Sequence, residues 1–126
     1  MRIILITPAP AKSLAGNRAT AARWAHILRS LDHRVEIVTE YTGQKADLMI
    51  ALHAWRSADA VQQFTDAYPN RPIIVAITGT DAYRFIHSHP ETTLQSIKLA
   101  DHLVGLHDLI SNTLPQDQRH KMNVIY

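Results

Sequence analysis

The sequence predicts an α/β domain: a doubly wound, Rossmann-like, mostly parallel six-stranded sheet with helices on both faces and the strand order 2-1-3-4-5-6. Three observations lead there. Six short runs rich in Ile, Val and Leu recur along the chain, most of them are continuously apolar as in strands buried on both faces, and segments with helical period lie between them. With 126 residues, 46% of them apolar, the chain has material for one ordinary core, so a single domain over residues 1–126 is expected.

The strands are read as Arg2 to Thr7, Arg34 to Thr39, Asp47 to Leu52, Pro72 to Thr78, His102 to Leu106 and Met122 to Tyr126. The clearest helix runs from Asn17, its N-cap, to Leu31, with Ala21, Trp24, Leu28 and Leu31 on one stripe. The second starts at the cap residue Ser57, has Asp59 in its first turn, carries Val61, Phe64 and Tyr68 inward, and is stopped by Pro69. A third begins around Pro90, a residue suited to the first helical position, and buries Leu94 and Ile97. A short fourth spans Asp108 to Thr113, ahead of Pro115.

One joint is short. Only the seven residues Glu40 to Ala46 separate the second strand from the third, fewer than a helical crossover takes. Extended, they reach at most roughly 24 Å. That covers a strand length of ~17 Å and two strand spacings of ~5 Å. A helix-free crossover here gives the order 2-1-3-4-5-6 and puts the topological switch between strands one and three.

Composition excludes several classes. The net charge of +2, from 13 Lys and Arg against 11 Asp and Glu, is too small for the electrostatic footprint of a nucleic-acid binder. The absence of cysteine removes disulfides, thiolate catalysis and Cys-based zinc sites, and fits a reducing compartment. The run Ile3 to Ile6 is too short for a signal-peptide core, and no later stretch reaches the length of a membrane span. A soluble, cytoplasmic protein is expected.

Ligands of open α/β sheets bind beyond the carboxyl ends of the strands at the switch point, so the relevant loops are Pro8 to Gly16, His53 to Arg56 and Thr78 to Arg84. The first brings Gly16, Asn17 and Arg18 to a helix N-terminus, where free N–H groups favour an anion or sugar; a solvated loop is the alternative. The second offers an imidazole, an aromatic plane and a guanidinium in His53, Trp55 and Arg56. His53 equally fits a strand-end cap, Trp55 a packing residue, and Arg56 a solvated cation or a partner of Asp59. The third, with Thr78, Gly79, Thr80, Asp81 and then Arg84, either contacts ligand or is a capping turn in which Asp81 satisfies backbone donors.

No cofactor is expected. Neither G-x-G-x-x-G nor G-x-x-x-x-G-K-[ST] occurs, which argues against a nucleotide-dependent oxidoreductase and an NTPase, and there is no nucleophile elbow. No metal site is expected either: the eight histidines are mostly dispersed, and His87-Ser88-His89 reads as an exposed loop.

Several segments together carry a resemblance. They are Ile6-Thr7-Pro8-Ala9-Pro10, then Gly16-Asn17-Arg18-x-Thr20-Ala21-x-Arg23-Trp24-Ala25, then Leu28-x-x-Leu31-x-His33-Arg34-Val35. This pattern resembles the N-terminal domain of two-domain GT-B glycosyltransferases of the family 4 type. The stretch from Asp47 to Ala58 and that from Arg71 to Arg84 look like the narrower branch containing the selenosugar synthases. Asp32 stands where the family usually has glycine, at a helix end where Asp tolerates the left-handed conformation.

The resemblance implies transfer of a sugar from a UDP-sugar, UDP-N-acetylglucosamine in this branch, to a small anionic acceptor, selenophosphate. It implies that this chain supplies the acceptor side and that a C-terminal donor-binding domain of the same enzyme completes the site, so that the isolated domain would be inactive. His53 and Asp81 are the candidates for catalysis. A non-catalytic flavodoxin-like module that binds a phosphorylated small molecule or a protein partner in the same cleft is the alternative.

Overall fold

The structure, a computed structural model, describes residues 1–7, 16–77, 90–105 and 116–124. In chain order the elements are β1 Arg2–Ile6, α1 Gly16–Ser30, β2 Arg34–Val38, β3 Leu48–Leu52, α2 Ala58–Ala67, β4 Ile73–Ile77, α3 Pro90–Leu99 and β5 His102–Gly105. A 3-10 turn, Gln116–Lys121, leads into β6, Met122–Val124. The body of the sheet is five parallel strands in the order β2-β1-β3-β4-β5. Of the predicted sixth strand, Met122 to Tyr126, the described residues hold a three-residue edge piece that pairs with Leu103, Val104 and Gly105. It lies outside the five-stranded body, at an edge where a strand has a ladder on one side alone. Leu106, the helix expected at Asp108 to Thr113, and residues 125–126 lie outside the described residues.

The two sides of the sheet carry separate cores. Ile3 and Leu5 of β1, with Ile50, Leu52, Ala76 and Val104, face α1 through Ala21, Trp24 and Leu28. Ile4 and Ile6, with Met49, Ala51, Val75 and Leu103, face α2 and α3 through Val61, Phe64 and Ile97. Consecutive residues thus point to opposite sides, both apolar, as continuous runs of Ile, Leu and Val require. Gln95 of α3 donates to Gln62 of α2 across the outer surface of the second layer.

The short joint is the helix-free crossover that chain length demanded. Residues 39–47 contain no helix and run along the α2 side of β1, where Tyr41 and Ala46 are buried in the same core as Phe64. Tyr41 meets the Phe64 ring edge-on at 5.6 Å and 83°, and its hydroxyl donates to the Gln44 carbonyl at 2.8 Å. Gly43, with φ of 92°, supplies the left-handed residue on which that turn closes. Among the described residues no helix is long and apolar enough to cross a membrane.

Two details of α1 differ from expectation. The helix begins at Gly16, so Asn17 sits in its first turn rather than at the cap. Leu31 is 61% exposed, and Ala25 completes the buried stripe instead. The cause is the helix end. Asp32 adopts φ of 69°, its N–H donates to the Arg29 carbonyl at 3.1 Å, and the His33 N–H donates to the Leu28 carbonyl at 3.2 Å. This pair of bonds is a Schellman motif, which turns the chain out of the helix at Leu31. The predictions for α2 and α3 hold: Val61, Phe64 and Ile97 are buried, Tyr68 and Leu94 pack partly buried against them, and Pro90 opens α3.

An aspartate precedes two of the strands and clamps the neighbouring one. Asp47 accepts the Arg2 N–H at 2.9 Å and donates its own N–H to the Arg2 carbonyl at 2.8 Å. Asp101 treats Ile73 in the same way, both bonds being 2.8 Å. Beside this second clamp, the Lys121 ammonium donates to the carbonyls of Ile97 and Lys98 at the end of α3. Burial lowers its pKa, while Asp101 and Asp117 oppose that shift.

Two outcomes follow for stability. Replacing Asp32 with Gly removes the strain of a non-glycine residue in the left-handed region and is expected to stabilise the fold by about 1 kcal/mol, measurable as a raised urea midpoint. The second concerns Asp47, whose carboxyl the Arg2 N–H holds below its ordinary 3.8, with Arg71 assisting against partial desolvation. A folded-state pKa below the unfolded one adds stability above that range and loses it as pH falls through the folded value. Asp47→Asn is therefore expected to be less stable than the parent at neutral pH, with the gap between their urea midpoints narrowing as pH falls below the ordinary carboxylate range.

Candidate functional site

β1 and β3 are neighbours whose onward connections leave in opposite directions, so their carboxyl ends frame the switch point. The exit of β3 is a tight, fully bonded turn. His53 has φ of 78°, a region more accessible to His than to most non-glycine residues. Its N–H donates to the Ala76 carbonyl at 3.0 Å, which prolongs the β3–β4 ladder by one residue. Its carbonyl accepts the Ser57 N–H at 3.1 Å, and its ring Nδ1 accepts the Arg56 N–H at 3.0 Å. The Ser57 hydroxyl turns back to the Leu52 carbonyl, so Ser57 takes the N-cap position of α2 without bonding the helix through its side chain.

These bonds decide what His53 does. The side chain is 1% exposed. With Nδ1 accepting a backbone N–H, the neutral ring carries its proton on Nε2. The imidazole thereby acts as the internal strut of the loop that presents Arg56, whose guanidinium lies 5.5 Å from the centre of the Trp55 ring.

A cleft of about 600 Å³ opens beside this loop on the α2 side of the sheet. Ile6 at the end of β1 reaches it from below, and Thr39, Glu40 and Tyr41 from the β2 exit form one wall. Trp55, Arg56, Ser57 and the first turn of α2 with Asp59 form another, Gln63 follows one turn further along α2, and Thr92 enters from the first turn of α3. Burial raises the Tyr41 hydroxyl above its ordinary 10.0, Tyr68 adds to the shift and Arg71 opposes it, so the wall keeps a protonated phenol at neutral pH. Hydroxyls, an amide, carboxylates, a guanidinium and an aromatic plane together suit a hydroxyl-rich ligand that carries an anionic group.

The sequence-predicted residues divide into three groups. Arg56 lines the cleft and His53 lies buried behind it. Gly16, Asn17 and Arg18 open α1, and for them the backbone alone is described. Thr78, Gly79, Thr80, Asp81 and Arg84 lie outside the described residues, as does the loop before Gly16. Sequence reasoning passed over Thr39, Glu40, Tyr41, Gln63 and Thr92. The β2 exit obeys the same carboxyl-end rule as the others, but Thr39 was read as the end of the strand and Glu40 and Tyr41 only as a spacer. Neither a protein-family model nor a curated protein matches the chain.

The role of His53 as a strut has a direct check. His53→Ala leaves the Arg56 N–H without its acceptor and keeps a β-carbon at positive φ, so it is expected to cost about 2 kcal/mol in urea unfolding. His53→Asn, which tolerates this conformation and retains a side-chain acceptor, is expected to cost less than half as much.

Proposed function

We propose that this chain is the acceptor-side domain of a GT-B glycosyltransferase, moving N-acetylglucosamine from UDP-N-acetylglucosamine to selenophosphate. The resemblance of the sequence motifs names the reaction. The observation that carries the reading to particular residues is the polar cleft at the switch point, with Arg56 stacked on Trp55 at its rim. A guanidinium there suits the phosphoryl oxygens of the acceptor, and Thr39, Asp59 and Gln63 suit sugar hydroxyls. In the transfer, the acceptor's selenium attacks the anomeric carbon, the bond from that carbon to the diphosphate breaks, and UDP departs with the electron pair. His53, tied through Nδ1 to the Arg56 N–H, serves in positioning rather than proton transfer at that nitrogen. Gly16, Asn17, Arg18, Thr78, Gly79, Thr80, Asp81 and Arg84 complete the cleft by the resemblance, with Asp81 the remaining catalytic candidate. The donor-binding half belongs to the C-terminal domain of such enzymes.

The second reading, a flavodoxin-like module that binds a phosphorylated ligand without catalysis, is favoured by one observation: His53 is committed to holding its own loop. Both readings use the same cleft, so one titration tests the site. With UDP-N-acetylglucosamine and with selenophosphate or phosphate, amide shifts are expected at Thr39, Glu40, Tyr41 and at residues 55–59. Arg56→Ala is expected to weaken the phosphate response about tenfold. Shifts confined to other surfaces would sink the assignment. Transfer activity on joining a donor-binding domain separates the enzyme from the module.

A further inference from the structure

We propose a second ligand site, for a small phosphate-bearing anion, at the amino ends of β1 and β2, formed by Arg2, Arg34 and Lys45. A cavity of about 410 Å³ there is lined by these three residues together with Arg71, Asp32 and Asp47. A smaller one of about 150 Å³ adjoins it, shares Arg2, Arg34 and Lys45, and reaches Glu36.

Topology brings the three cations together. Arg2 and Arg34 are register partners on adjacent parallel strands, which places their side chains on one face about 5 Å apart. That face is the α2 side, since Ile4, two residues after Arg2, belongs to its core. Lys45 arrives on the same side, from the crossover whose neighbour Ala46 is buried there. All three are exposed. Like charges held side by side on a sheet repel, and among the described residues none of the three is in an ion pair.

One of the carboxylates there, Asp47, is already engaged. Asp47 accepts the Arg2 backbone N–H and stands 4.0 Å from the Arg71 guanidinium. Arg71 in turn donates to the Ala46 carbonyl and lies 4.4 Å from the centre of the Tyr68 ring. Across the two cavities the four cations Arg2, Arg34, Lys45 and Arg71 face the three carboxylates Asp32, Asp47 and Glu36, so the lining keeps a net positive charge, with Asp47 shared between Arg71 and Arg2. An anion seated between Arg2 and Arg34 converts their repulsion into two charge-assisted contacts, and Lys45, in the same lining, supplies a third. Three cationic donors lining one cavity suit the several oxygens of a phosphoryl group better than the two of a carboxylate. The five-residue strands separate this site from the switch-point cleft by about 16 Å, so the two are distinct.

The test is a titration of the chain with inorganic pyrophosphate, followed by amide shifts. Saturable shifts at Arg34, Val35, Lys45 and Ala46 are expected, weakening as sodium chloride is raised. Arg34→Gln and Lys45→Gln, both at exposed positions, are each expected to weaken binding about tenfold. The absence of saturable shifts, or an affinity in both variants equal to that of the parent chain, overturns the proposal. Shifts at residues 39–41 and 55–59 in place of those at Arg34 and Lys45 overturn it too, while leaving the switch-point reading standing.

Discussion

A chain that leaves β1 for β2 and then passes back over β1 to reach β3 reverses its direction of travel across the sheet. Strand connections of this kind keep one hand, so a reversal of direction forces a change of face. Here α1, the connection that runs one way, packs on one side, while the 39–47 crossover, α2 and α3, which run the other way, share the opposite core. That change of face parts the connections above the ends of β1 and β3. The cleft lies on the α2 side of that switch point, and its walls come from the exits of β2 and β3 because both lead into connections on that side, while α1 leaves the end of β1 for the other.

The missing helix between β2 and β3 shapes the site as much as the helices do. A helical connection would cover the α2 side of β1 with a cylinder of roughly 10 Å diameter. The extended crossover covers the same strand with little more than Tyr41 and Ala46, leaving room beside α2. Tyr41 then has two duties, closing the core against Phe64 and lining the cleft. Burial on one side and a polar partner on the other are what an aromatic residue with a hydroxyl can satisfy together.

How much of this was legible in the sequence depends on the range of the interaction. The apolar runs gave the five body strands within one residue at either end, because burial on both faces acts on every residue of a strand. Chain reach alone predicted the crossover and hence the strand order. Leu31 was misplaced because an apolar residue at helical spacing looks buried until a local turn, here the Schellman bonds around Asp32, takes it out of the helix. The clamps by Asp47 and Asp101 were not legible, although Ala-Asp precedes a strand both times, since their partners Arg2 and Ile73 are fixed only by register. In the cleft, Arg56 could be read from its place after a strand, whereas Gln63 and Thr92 enter through helix packing that no local pattern encodes.

The two ends of the sheet also differ for a backbone reason. Amino ends of parallel strands present N–H groups that need acceptors, and here carboxylates answer them: Asp47 for Arg2, Asp101 for Ile73. Carboxyl ends present carbonyls that need donors, and loop groups answer those: the Thr7 N–H for Val38, the His53 N–H for Ala76, the Ser57 hydroxyl for Leu52. Meeting the second need draws the β3 exit into a turn tight enough to require positive φ, and the same turn aligns α2 so that its N-terminus borders the cleft. Completing the sheet and placing donors around a ligand are therefore one structural act at this end. At the other end the Asp47 clamp sits among cations, with the Arg71 guanidinium 4.0 Å away and Arg2 and Arg34 lining the same cavity.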